Sequence, residues 1–351
     1  MSSAVLMPPM SSPTQTVTTL PTERSSEKIV TRRRTTLWRV ALVVLAFFLG
    51  AEVLTRTVLF RISKDISKFQ TFTQRAETLA AQPGMSIAFV GNSLTERGID
   101  APLFAESLTA LGAGPVTADV FSADASKINV WHYLLTRYFW KPGHNPDVFV
   151  VSFYENNLAD KNPLEIGRFA QFFVDRDDWS EVFTHDLTSN SDRSEFLLSS
   201  AWATYAARER IKERGLSLLI PHYQELTVQA NDVLRQQAAK SQTHTEKTVS
   251  HELLKRFIAR ANEHHSKIVF VAFPTIIPER ERPYQPYELD PEMLSVIHDG
   301  GMEFADLRQV PELTLEMYAD DIHLNEKGRP VYSRYLATAL RPFIEKLSIE
   351  K

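Results

Sequence analysis

Three short segments carry side chains suited to nucleophilic chemistry. Ser93 follows Val90-Gly91-Asn92, at the end of an apolar run and beside a glycine that permits a tight turn. A serine hydroxyl is a weak nucleophile until a base takes its proton, and a serine at such a place is equally a helix N-cap. A base with its orienter stands near the C-terminus, in Tyr318-Ala319-Asp320-Asp321-Ile322-His323-Leu324-Asn325-Glu326-Lys327-Gly328. An Asp three residues before a His on a short loop can accept the proton of one ring nitrogen and leave the other as general base. This is the one Asp-x-x-His in the chain, against about half a match expected by chance from its composition. The third segment, Phe153-Tyr154-Glu155-Asn156-Asn157, ends another apolar run in amides that can donate to an oxyanion, although Asn is also a common turn residue.

Composition narrows the chemistry. The chain has 351 residues, 43% of them hydrophobic, and no cysteine. A disulfide framework, a thiol nucleophile and thiolate metal ligation are therefore excluded, and covalent catalysis must come from Ser, Thr, Lys or a carboxylate. The net charge of −4 argues against general nucleic-acid binding, which is built from surplus Lys and Arg. That charge is uneven: residues 1–60 hold seven Lys+Arg and three Asp+Glu, or +4, leaving −8 for the remainder.

These groups have to be positioned by regular elements. Apolar, β-branched runs at Ser86–Val90, Val116–Phe121, Asp147–Phe153, Ile268–Phe273 and Met302–Leu307 read as strands, with helical patterns between them and an amphipathic stretch to about Leu347. Strands alternating with helices imply right-handed crossovers and a parallel sheet covered on both faces, with function gathered at the carboxyl ends of the strands. The segment 194–240 is long and helical in pattern, and forms either a packing subdomain or a lid. His264 and His265 read as solvated, His132 as a packed helix residue, and the charges at Arg208–Arg214 as a solvated helix face.

The N-terminal part differs. Residues 1–36 are rich in Ser, Thr and Pro and read as a disordered tail. Residues 37–60 read as a membrane anchor: Val40–Ala51 is uncharged, and Val40 to Phe60 spans 21 residues, close to the ~20 that cross a bilayer core. Glu52 and Arg56, four apart, share one helix face and can pair. The alternatives are a buried core helix and a cleaved signal peptide; the length of chain before the apolar run and the large residue in Leu49-Gly50-Ala51 disfavour cleavage. Arg24, Lys28, Arg32, Arg33, Arg34 and Arg39 outnumber Arg56, Arg61, Lys64 and Lys68, so the N-terminus is expected inside. A juxtamembrane helix or linker at 61–83 then leads into a domain at 84–347 lying outside the cytoplasm, periplasmic, on a single-pass inner or plasma membrane protein.

The order Gly91-Asn92-Ser93, Asn156 after a strand, and Asp320-x-x-His323 with Leu324-Asn325 and Gly328 resembles the SGNH, or GDSL-like, hydrolase superfamily over residues 84–347. The resemblance implies a flavodoxin-like three-layer α/β/α fold, a parallel sheet in the order 2-1-3-4-5, Ser93 as nucleophile, His323 as base, Asp320 as its orienter, and no metal or cofactor. It also implies an oxyanion hole made by the Asn156 side chain and the backbone N–H of Ser93, with Asp124 the choice for a further N–H from the second block. Departures are visible. Asn92 stands where the family has Asp, the Gly-x-Asn-Asp pattern becomes Tyr154-Glu155-Asn156-Asn157, and Phe121–Ser126 lacks the second block's glycine.

The expectation is a membrane-anchored serine esterase or O-acyltransferase. Its substrate is an ester, such as the O-acetyl groups of a cell-envelope glycan, and a membrane-bound acyl-donor partner is a further expectation. The alternative is a noncatalytic member that binds glycan or scaffolds an envelope assembly.

Overall fold

The computed structural model of the chain describes residues 24–160, 165–223, 250–276 and 287–349. It divides into two units, Met1–Val53 and Leu54–Lys351. The first contains most of helix α1 (Arg24–Leu54), which begins inside the stretch whose composition reads as a tail, because a long apolar helix once nucleated propagates at little cost into flanking residues. Residues 1–23 of that expected tail lie outside the described residues. The stretch Leu37–Ile62 is long and apolar enough to cross a membrane. Its large apolar side chains from Leu37 to Leu54 are 43–72% exposed, unlike those of a core helix.

In the second unit the helix continues through Thr55–Leu59 and Phe60–Ile62 and breaks at Ser63, which adopts extended geometry. Thr55 is buried, its Oγ1 3.1 Å from Thr204 Oγ1, and Phe60 packs edge-on against Phe172. Helix α2 (Lys64–Ala80) follows and buries Ile66, Phe69, Phe72, Ala76 and Leu79, at the 3–4 residue spacing of one helix face. The segment read as juxtamembrane is thus part of the core, bound to the sheet by Arg75, whose guanidinium donates to Asp119 and to Val120 O.

Five strands, β1 (Met85–Gly91), β2 (Val116–Ser122), β3 (Val148–Phe153), β4 (Ile268–Ala272) and β5 (Glu303–Asp306), form one parallel sheet in the order β2-β1-β3-β4-β5. All five expected strands are present, and the order is the flavodoxin-like one. Because successive side chains alternate between faces, each strand feeds two cores. Ala88, Val90, Phe149 and Val151 face one core with α2, α5 (Ile128–Leu135) and α9 (Glu252–Glu263). Ile87, Phe89, Val148 and Val150 face the other with α4 (Ala101–Leu108) and α11 (Gly328–Ile349). The result is a three-layer α/β/α domain.

Between β3 and β4 the chain forms α6 (Ile166–Phe172), α7 (Asn190–Ala201) and α8 (Arg208–Leu219); residues 224–240 of the expected insertion lie outside the described residues. His132 is fully buried, with burial disfavouring its protonated form, so Nε2–H donates to Glu181 at 3.0 Å. His264 departs from the solvated reading: its ring stacks on Trp140 at 5.5 Å.

Candidate active site

Ser93, Asn156, Asp320 and His323 all lie on segments that leave the carboxyl ends of strands or precede α11. Ser93 opens the short helix α3 (Ser93–Gly98) directly after β1. The turn is shaped by two neighbours. A Cβ on Gly91 would stand 1.9 Å from Thr95 Oγ1 and 3.1 Å from Ser152 O, so no larger residue fits without displacing backbone. Asn92 caps the helix, its Oδ1 accepting from Leu94 N–H at 3.0 Å, which removes that role from Ser93 and leaves its hydroxyl for another partner.

That partner is His323. Ser93 Oγ lies 2.8 Å from His323 Nε2, across 230 positions of sequence. On the far side of the ring Nδ1 lies 2.9 Å from both Asp320 carboxylate oxygens. An ionised carboxylate only accepts, so Nδ1 carries the proton and Nε2 is left to accept the serine proton. Partial burial disfavours charge on Asp320, but donation from the backbone N–H groups of Ile322 and His323 and from the His323 ring outweighs it and holds the carboxyl below the usual range.

The loop holding this pair is built by Asn325. Its Oδ1 accepts from Lys327 N–H and Gly328 N–H, and its Nδ2 donates to Glu316 O and Tyr318 O. Tyr318 and Leu324 pair as an isolated antiparallel bridge, with Ala319 N–H bonded to His323 O at 2.8 Å. Gly328 starts α11 so close to the loop that a Cβ would stand 2.4 Å from Met317 O. Beside the loop, a cavity of about 430 Å³ is lined by Pro274, Ile276, Arg308, Val310, Leu313 and Tyr318, at the carboxyl ends of β4 and β5.

The second and third blocks close on the nucleophile turn through amides. Asn92 Nδ2 donates to Asn157 Oδ1 at 3.2 Å, and the same oxygen accepts Tyr154 N–H at 3.0 Å. Asn157 is buried, while its neighbour Asn156 is exposed with its side chain presented at the surface. Sequence reasoning named Asn157 only among the amides able to donate to an oxyanion and missed this tying role of its oxygen. In the second block, Arg168 donates to the Asp124 carbonyl oxygen, and Asp124 Oδ1 is buried without a hydrogen-bond partner among the described residues. Among the described residues the backbone N–H of Ala123 is engaged by Gly91 O, whereas those of Ser93 and Asp124 have no protein acceptor.

Two non-glycine residues of these blocks hold left-handed backbone. Ala125 has φ 50° and Glu155 φ 45°, in the left-handed region that suits glycine. An L residue there costs roughly 1–2 kcal/mol, and glycine's extra chain entropy costs about 0.5–1 kcal/mol. Ala125→Gly and Glu155→Gly are therefore each expected to raise stability by about 0.5–1 kcal/mol, read as a higher urea midpoint at unchanged slope. An unchanged or lower midpoint for both would show that the backbone is not held there.

The five-stranded parallel sheet in this order is a flavodoxin-like three-layer α/β/α fold, and it holds a serine after β1 bonded to the Asp-x-x-His before the last helix. No family model and no curated protein matches the chain. Among solved structures it is similar to an acetyl xylan esterase at 13% identity, covering 73% of this chain and 98% of that one, with a TM-score of 0.34. It is also similar to a lipase/acylhydrolase from Enterococcus faecalis at 12% identity, covering 73% and 95%, with a TM-score of 0.36. A variant of an acetyl xylan esterase from Geobacillus stearothermophilus is similar at 12% identity, covering 74% and 95%, with a TM-score of 0.36. The superpositions are loose, and the fold assignment stands on sheet order and geometry.

Proposed function

We propose that the protein is a membrane-anchored serine esterase or O-acyltransferase. The observation that carries this is the unbroken relay from Ser93 Oγ through both nitrogens of His323 to Asp320. His323 Nε2 takes the Ser93 proton as Oγ bonds to the ester carbonyl carbon, and the oxyanion meets the Asn156 amide and the N–H groups of Ser93 and Asp124. The protonated ring then gives its proton to the leaving alkoxide as the ester C–O bond breaks. In the second half, water or a sugar hydroxyl loses its proton to His323, attacks the acyl group, and Ser93 leaves with the proton.

Hydrolysis and transfer use the same residues and differ in which hydroxyl reaches the acyl-enzyme. The site supports a bulky substrate: Asn156, Glu155 and Asp321 are exposed around a half-buried Ser93, so an ester carried on a polymer can approach. With the Leu37–Ile62 anchor, the reading is an acylated envelope glycan outside the cytoplasm, O-acetyl groups foremost. The test is to react the full-length protein with a fluorophosphonate and then measure by mass the acyl-enzyme formed from candidate donors. Labelling at Ser93 and an added acetyl mass are expected. Well-folded protein whose Ser93 is inert sinks the proposal and favours a noncatalytic, glycan-binding role.

A further inference from the structure

The relay accounts for Ser93, His323 and Asp320, but not for a second polar cluster one helical turn away from the nucleophile. Glu96, three residues after Ser93 on α3, accepts from Lys68 Nζ at 3.1 Å and from the Ser122 hydroxyl. Lys68 Nζ also lies 3.2 Å from Ser122 Oγ, closing a triangle. Ser122 is fully buried at the end of β2, immediately before the loop whose Asp124 N–H has no acceptor among the described residues. Lys68 stands on α2, which starts two residues after the apolar span ends at Ile62.

The three residues join elements that the sheet alone does not join. Helix α3 is only six residues long, too short to hold its own orientation. Its N-terminus is fixed by β1 and Asn92; its second turn is fixed by Glu96. The second-block loop is pinned at its far end by Ser126, whose Oγ accepts from Trp131 Nε1 at 2.8 Å, and in its middle by Arg168 on Asp124 O. Ser122 is the pin at its near end. Burial disfavours charge on Glu96, but the Ser122 hydroxyl and Lys68 prevail and hold the carboxyl below its usual range, so it remains an acceptor for both partners.

We propose that Lys68 is a positioning residue for the nucleophile: through Glu96 and Ser122, helix α2 fixes the Ser93 helix against the loop that supplies oxyanion donors. The inference rests on Ser93 being the nucleophile. It makes α2 part of the catalytic scaffold.

The test uses the full chain in lipid nanodiscs, a fluorophosphonate titration that separates the maximal labelling rate from the half-saturating concentration, and near-ultraviolet circular dichroism on the same samples. Lys68→Met, which keeps the length and loses the charge, is expected to lower the maximal rate about ten- to a hundredfold at unchanged half-saturation. Lys68→Arg restores most of that rate. Glu96→Gln lowers the rate similarly, and the Lys68→Met/Glu96→Gln double variant is no slower than the worse single, because both break one unit. Wild-type labelling by Lys68→Met, or a loss that only tracks the lost folded signal and is not rescued by Lys68→Arg, overturns the proposal. A wild-type protein that does not label at all overturns instead the nucleophile assignment beneath it.

Discussion

Ser93→Ala is expected to lower the turnover of an activated ester such as 4-nitrophenyl acetate by about 10⁴–10⁶-fold, and to abolish fluorophosphonate labelling, without changing the melting temperature by more than a degree or two. The small stability effect follows from Asn92: it is the amide, not the serine, that caps α3, so the hydroxyl contributes little to folding. The large kinetic effect follows because the chain has no cysteine and, among the described residues, no second serine is bonded to His323. His323→Ala is expected to cost nearly as much, since an unassisted hydroxyl attacks slowly. The double variant should be no slower than the worse single. Additive losses in ester turnover would mean that serine and histidine act separately, and the relay would not be the working unit.

Asp320→Asn is expected to slow the same reactions by roughly 10³–10⁴-fold while Ser93 remains in place. The carboxylate accepts from His323 Nδ1 with both oxygens near 2.9 Å, and Oδ1 also accepts from the Ile322 and His323 N–H groups. An amide keeps one acceptor oxygen. If that oxygen stays on the backbone N–H groups, the NH₂ faces Nδ1 and selects the tautomer whose proton lies on Nε2, where it cannot receive the serine proton. The pH response has a definite sign. Asp320 is held below the usual carboxylate range, so it stays ionised as pH falls through that range, and the wild-type orienter is lost only at lower pH. An Asp320→Asn protein labelling within threefold of wild type would sink the orienter role.

Much of this was legible in local pattern. The five apolar runs became strands within about a residue of their expected ends, because buried parallel strands require continuous apolar side chains and the crossovers require helices. Ser93, Asp320 and His323 were legible because their chemistry demands those residue types and the Asp-x-x-His spacing is local. Asp124 shows the limit: any non-proline residue has an N–H, so sequence could name a block but not the group, and the structure ties its carbonyl to Arg168 and leaves one carboxylate oxygen buried with no partner among the described residues. Nor could sequence show that these two blocks hold left-handed backbone at Ala125 and Glu155, since φ is imposed there by surrounding contacts rather than by residue type.

What the sequence determined by itself is therefore the menu: an apolar helix able to cross a membrane, strands, crossovers, and one serine, one histidine and one aspartate with fitting chemistry. Tertiary structure decided which of these meet. Placing β3 beside β1 brings Asn157 to Asn92 across 65 positions, and the end of β2 brings Ser122 to Glu96 across 26. Lys68 joins that pair from a helix whose apolar face shows only that it packs, not where. Polar contacts of this kind carry no periodicity, because they are set by the crossing of elements whose order in the sheet is a global choice, made by burial of both faces at once.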